Sequence, residues 1–213
     1  MKFTPNSSTV IVRNIIIINI LLYLITWLVA SGKINLDIIK YLGLYFWKSP
    51  NFYPHQLITY MFLHGGLVHL FFNMFAIYIF GRVLENVWGE KRFLIYYMIT
   101  GIGAGIVQLL VNWWQYSSGQ GFIYDSVTIG ASGAVFGLLL AFGLLFPNTQ
   151  IMLLFPPIPI KAKYFVIIYA VVELYLGVQN FSWDNIAHFA HLGGMVFGYI
   201  LIKYWNKNSR RFY

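Results

Sequence analysis

The chain has no cysteine, which excludes a disulfide framework, thiolate metal sites and a cysteine nucleophile. Charge is the second scarcity. Only 9% of its 213 residues are Asp, Glu, Lys or Arg, where soluble domains average roughly 25%. So few charges cannot cover a water-facing surface. Disorder is excluded as well, because disordered chains are poor in apolar residues, and here these make up 59% of the sequence with a mean hydropathy of +0.69. The composition is that of an all-α polytopic membrane protein. The abundance of Phe, Tyr and Trp, 20% of the chain, suits interfacial belts and packed helix interiors. A net charge of +8 would suggest nucleic acid in a soluble protein, but these charges sit at segment ends and read as topology signals, so no nucleic-acid partner is expected.

Apolar windows fall near residues 10–30, 57–81, 93–114, 127–146, 158–178 and 187–205. Each approaches the ~20 residues needed to cross the hydrocarbon core. The expectation is a single domain over 1–213 with six transmembrane helices. The second window contains His64-Gly65-Gly66, so its first part is expected to approach along the interface. Pro156, Pro157 and Pro159 set the entry to the fifth. The first carries Arg13, Asn14 and Asn19, which favours an uncleaved span over a signal peptide. Lys2, Arg13, Arg82, Lys91, Arg92, Lys161, Lys163, Lys203, Lys207, Arg210 and Arg211 would lie on one side, and Lys33, Lys40 and Lys48 on the other. This bias predicts both termini in the cytoplasm. The outer loop from about 31 to 56 holds Ile34, Leu36, Leu44, Phe46 and Trp47, too apolar for a solvated loop, and is expected to lie in the interface.

Polar side chains inside a membrane are costly and point to function. Four stand out: His69, Asn73, Ser132 and His191. At 1.5 Å per residue, His69 lies ~20 Å above Arg82 and Asn73 ~14 Å, Ser132 ~22 Å above Pro147, and His191 ~18 Å above Lys203. Three helices running in the same direction thus place all four in one layer. A serine hydroxyl needs an adjacent base, usually histidine. The tetrahedral intermediate of acyl transfer needs donors such as Asn or His. His69 and Asn73, at i and i+4, share a helix face. Gly130 and Gly133 flank Ser132, Gly137 follows, and Gly194 and Gly198 lie below His191. Such small-residue faces are expected to let the fourth and sixth helices approach until Ser132 and His191 meet.

His69-Leu-Phe-Phe-Asn73, Gly130-Ala-Ser-Gly133 and His191-Leu-Gly-Gly194 with Gly198, in this order, spacing and depth, resemble the motifs of rhomboid-family intramembrane serine proteases. The resemblance implies a six-helix rhomboid-like bundle over nearly the whole chain. It further implies a Ser132–His191 dyad that requires no acid, and an oxyanion hole of His69, Asn73 and the Ser132 backbone N–H. Phe136, four residues after Ser132, would lie against the base. Where the family often has Trp-Arg in the first loop, this sequence reads His55-Gln56, which points to a different anchoring of that loop.

The expected activity is endoproteolysis of membrane-spanning helices near the outer face, in a bacterial-type plasma membrane. By family analogy, substrates carry helix-destabilising residues and a small residue before the cut, and a mobile fifth helix with an outer-loop cap controls entry. Expected partners are transmembrane protein substrates and the lipid bilayer; no cofactor or metal is expected. His188 and His191 are i, i+3, but no H-E-x-x-H motif is present, and a zinc protease is not expected. His188 is expected one turn nearer the outer water, as a rim or hydrogen-bonding residue, His64 as a pin for the loop entering the second helix, and Glu173 in a structural hydrogen bond in preference to a role in gating or proton handling. The rival readings are an inactive rhomboid-like protein that binds client helices, and a transporter or channel. The latter usually shows intramembrane acids or inverted repeats.

Overall fold

In lipid, backbone N–H and C=O groups must be satisfied within the segment, so apolar spans become helices. The computed structural model describes residues 9–153, 156–179 and 186–208. Lys2, Asp184, Arg210 and Arg211 lie outside them.

Helix α1 (Val10–Ala30) turns Val12, Ile15 and Asn19 inward and leaves Ile17, Leu21, Leu24 and Trp27 exposed, a narrow packing stripe at helical spacing. Its first N–H groups have no intrahelical carbonyl. Two of them are satisfied from another helix: Glu85 Oε1 accepts from Ile11 N–H at 3.0 Å and Oε2 from Val12 N–H at 2.8 Å.

The long first loop is ordered. It contains helix α2 (Ile38–Leu42), strand β1 (Leu44–Tyr45), helix α3 (Gln56–Thr59) and a 3₁₀ turn at Tyr60–Phe62. Gln56 is fully buried. Its Nε2 donates to the Asn51 and Lys40 carbonyls at 2.8 and 3.1 Å, and its Oε1 accepts from the Tyr53 and Tyr45 amides at 3.1 and 3.3 Å. His55 Nε2 meets the Tyr41 carbonyl at 2.9 Å. These two side chains, where the family often has Trp-Arg, tie the loop to itself through its backbone.

Helix α4 (Leu67–Ala76) passes through one π-helical turn, Ile77–Gly81, into α5 (Arg82–Trp88), one continuous 22-residue span. Helix α6 (Glu90–Ser117) follows, then strand β2 (Val127–Thr128), α7 (Ser132–Leu145), a hairpin of β3 (Gln150–Met152) and β4 (Pro159–Lys161), α8 (Ala162–Gln179) and α9 (His188–Asn208). Among the described residues, α1, the α4–α5 span, α6 and α8 are long and apolar enough to cross a membrane. The fold is an all-α polytopic membrane protein.

Three windows shorten at their starts, the fifth, from 158, because it opens with β4 and its helix begins only at Ala162. Residues 57–66 are α3, the 3₁₀ turn and a connector, and the helix begins only at Leu67. The window from 127 starts extended: β1 pairs antiparallel with β2, Leu44 opposite Thr128 and Tyr45 opposite Val127. Helix α7 begins at Ser132 and is 14 residues long, ~21 Å, less than the ~30 Å core. The physical reason is at Gly130. Its φ of +133° is not helical, and a Cβ there would strike the His69 ring.

Helix α9 lies between α6 and α7 and makes its main contacts with both. The buried centre contains Tyr60, Phe93, Tyr96, Tyr97 and Leu138. Two phenols are tied to helix carbonyls: Tyr96 donates to Gly137 at 2.8 Å and Tyr60 to Gly101 at 2.7 Å. Helix α8 packs chiefly on α7 and α9 and turns in only Ala162, Val166 and Glu173.

Candidate active site

Helices α4, α7 and α9 begin at the same end of the bundle. Between their first turns lies a cavity of about 690 Å³ lined by His69, Asn73, Gly130, Ser132 and His191 among others. That volume is in the range of small-ligand sites.

The contact at its floor is short. His191 Nε2 lies 2.7 Å from Ser132 Oγ. The two residues are 59 apart in sequence, and the approach of α7 and α9 brings them together. Gly194, one turn below His191, abuts Gly133; a Cβ on Gly194 would run into the Gly133 carbonyl. The other glycines pack elsewhere. Gly137 lies against Thr100 and Gly198 against Tyr96, both on α6, and Gly130 belongs to the extended entry to α7 rather than to a helix face. The expected pair of matching small-residue stripes between α7 and α9 is therefore corrected to one contact, Gly133 on Gly194. On α7 the stripe faces α6 throughout: a Cβ on Gly133 would meet that of Ala104, as one on Gly137 would meet Thr100.

Phe136 stacks on the His191 ring, centroids 4.3 Å apart and planes 8° from parallel. His69 and Asn73 face the cavity from α4; Asn73 Nδ2 donates to the His69 carbonyl at 2.9 Å. An amide nitrogen carries two hydrogens, so one remains for a ligand. Ser132 is the first residue of α7, and the N–H groups of a first helical turn have no intrahelical acceptor. The position of Ser132 at a helix start, rather than within the helix, puts its own amide among the donors at the cavity.

His64 is buried and packs edge-on against the His69 ring at 4.9 Å; neither of its ring nitrogens has a hydrogen-bond partner among the described residues.

Glu173 is the residue whose surroundings the sequence concealed. From α8, its Oε2 lies 2.8 Å from His191 Nδ1 and 2.7 Å from His188 Nδ1. All three side chains are buried. Of the two roles expected for His188, rim or hydrogen-bonding residue, the structure shows the second: it is buried and meets Glu173. The ligand atoms of Glu173, His188 and His191 lie within 4.8 Å of one another, close enough to surround an ion. The separations to Oε2 are nevertheless those of direct hydrogen bonds.

Residues 51–207 match the model of the rhomboid domain. This chain belongs to the rhomboid family. It is 34% identical over 150 residues to "RHOMBOID-like protein 6, mitochondrial" of Arabidopsis thaliana, covering 68% of this chain and 42% of that one. It is 33% identical over 148 residues to "Putative rhomboid protease YdcA" of Bacillus subtilis strain 168, covering 68% and 64%. With "Rhomboid protein 1, mitochondrial" of Saccharomyces cerevisiae the identity is 32% over 152 residues, covering 71% and 42%. The chain spans less than half the length of these plant and yeast relatives and about two thirds of the bacterial one.

Proposed function

We propose that this rhomboid is an intramembrane serine endopeptidase that cleaves transmembrane helices of other membrane proteins near the outer face. The observation that carries this reading is the 2.7 Å contact between His191 Nε2 and Ser132 Oγ inside a cavity supplied with amide donors. His191 Nε2 takes the Ser132 proton as Oγ attacks the scissile carbonyl carbon. Negative charge collects on the carbonyl oxygen, toward which Asn73 Nδ2, the His69 ring and the Ser132 N–H converge. His191 then gives its proton to the departing amine, leaving an acyl-serine. In the second half His191 removes a proton from water, which attacks the ester; the bond to Ser132 Oγ breaks, His191 returns the proton to Oγ, and the new carboxyl end is released. A helical substrate hides its carbonyl in its own hydrogen bonds, so the cleaved stretch must first unwind. This requirement favours substrates with helix-destabilising residues, and the likeness to the rhomboid family adds a small residue before the cut. Helix α8, with few buried residues, is a reasonable gate for their entry, together with the outer loop. The proposal includes six crossings and both termini on the cytoplasmic side of a bacterial-type plasma membrane.

A fluorophosphonate probe tests the chemistry without any knowledge of the natural substrate. The wild-type protein in detergent is expected to be labelled on Ser132, and Ser132→Ala to be neither labelled nor active while keeping its thermal unfolding midpoint, since a site that holds Ser accepts Ala. Substantial proteolysis by pure Ser132→Ala would remove the nucleophile assignment.

Asn73→Ala tests the oxyanion role. In a soluble serine protease, loss of one such donor costs about 10²–10³ in kcat. Water in the cavity replaces part of the loss, so Asn73→Ala is expected to fall by about 10²-fold or less in kcat, with KM little changed. A rise in KM alone would make Asn73 a substrate-binding or packing residue. His69→Ala is expected to be worse, because His64 loses its packing neighbour as well.

A further inference from the structure

Deepening the protease reading and resting on it, we propose that Glu173 is a positioning residue for His191: its Oε2 accepts from His191 Nδ1–H and holds the ring in the tautomer whose Nε2 lone pair faces Ser132. The site then works as a chain of three groups, Ser132, His191 and Glu173, drawn from three helices.

A neutral imidazole has one N–H and one lone pair, and which nitrogen carries which is set by the hydrogen bonds around it. A base acting through Nε2 needs its proton on Nδ1. That Nδ1 is buried, where an unpaired N–H is costly. A carboxyl oxygen 2.8 Å away supplies the acceptor. It is also a group that accepts from either ring nitrogen but, when ionised, donates to neither.

Two neighbours restrict the arrangement further. Phe136, stacked at 4.3 Å, fixes the plane of the His191 ring, and Glu173 then fixes which edge of the ring meets Ser132. His188, one turn before His191 on the same helix, donates to the same Oε2 at 2.7 Å. Two donors from one face of α9 thus hold a single oxygen, and the carboxyl cannot swing away from His191 without breaking both bonds. A bland alternative is that Glu173 merely fastens α8 to α9. The two differ in what they predict for the ring of His191 and for the chemical step.

The experiment compares wild type, Glu173→Leu, Glu173→Gln and His188→Leu as full-length proteins in detergent micelles. Three readouts are used: the rate of fluorophosphonate labelling at Ser132, kcat and KM on a helical substrate, and the ¹⁵N spectrum of the histidine rings. In a soluble serine protease, replacing the corresponding acid lowers kcat by ~10⁴ through the wrong tautomer. Here Glu173→Leu is expected to lower both labelling rate and kcat by at least ~10²-fold with KM within about twofold. Glu173→Gln, which still offers an acceptor oxygen, falls between, and His188→Leu loses less than either. The wild-type His191 signal should be that of Nδ1–H with bare Nε2, and Glu173→Leu should show a tautomer mixture. Labelling and kcat of Glu173→Leu within about threefold of wild type would overturn the proposal, as would an unchanged His191 tautomer. Equal losses in Glu173→Leu and His188→Leu with KM raised in both would also overturn it, in favour of simple fastening. If wild type resists the probe altogether, the protease reading fails, and the ring spectrum still decides whether Glu173 sets the tautomer.

Discussion

His191→Ala is expected to abolish both cleavage and labelling of Ser132, while His188→Ala keeps a measurable fraction of each. The two histidines share a helix, are one turn apart, and both meet Glu173 Oε2. Only His191 also reaches Ser132, with Nε2 at 2.7 Å, and only its ring is stacked by Phe136. Loss of the base in a soluble serine protease costs up to about 10⁶ in kcat, nearly as much as loss of the whole catalytic group. Loss of His188 removes one of two bonds that hold Glu173, so its effect is indirect and smaller. The measurement is the labelling rate and kcat for each variant, with the thermal unfolding midpoint as a check on folding. The reverse ranking, His188→Ala dead and His191→Ala active, would show that the base is the other histidine.

Gly194→Ala is expected to be nearly as damaging, although it adds one methyl group and touches no reacting atom. The added carbon would meet the carbonyl of Gly133, a backbone group that cannot rotate out of the way. Helix α9 must move off α7, and Ser132 and His191 are each one turn or less from that contact. Overpacking of this kind costs roughly 1–3 kcal/mol of stability. A 1 Å misplacement of reacting groups can cost ~10² in rate. The expected result is a lowered unfolding midpoint together with a kcat reduced about 10²-fold or more. Gly121→Ala is the control, because a Cβ there meets nothing within 4 Å, and it should behave as wild type. Wild-type kcat in Gly194→Ala would mean that the helix contact does not set the distance between the two groups.

Much of the site was legible because polar side chains are conspicuous in apolar windows. Ser132, His191, His69 and Asn73 were visible by type, and a fixed rise per residue placed them at one depth; the structure puts all four around one cavity. Glu173 was visible as an intramembrane acid, but its partners lie 15 and 18 residues away on another helix. Periodicity says which face a residue occupies, not which helix will lie against that face. The same gap explains the glycine stripes, whose spacing was plain but whose neighbours at Gly133, Gly137 and Gly198 are side chains of α6. The start of α7 was hidden for a different reason. Val127 and Ile129 suit a strand as well as a helix, and the extended entry becomes visible only once Gly130 is seen against the His69 ring. His55-Gln56 pointed to a different anchoring of the first loop but not to its form, since the backbone groups that Gln56 satisfies carry no sequence signature.

The cap on α1 has a consequence for the order in which the protein is made. The amides of Ile11 and Val12 receive their acceptors from Glu85, more than 70 residues later in the chain. While a ribosome is still synthesising the second span, the leading end of the first is incomplete and must borrow water or lipid headgroups. The two helices become a finished unit only when residue 85 has left the exit tunnel. Their native pairing thus waits for translation to pass residue 85, with more than half of the 213-residue chain still to be made.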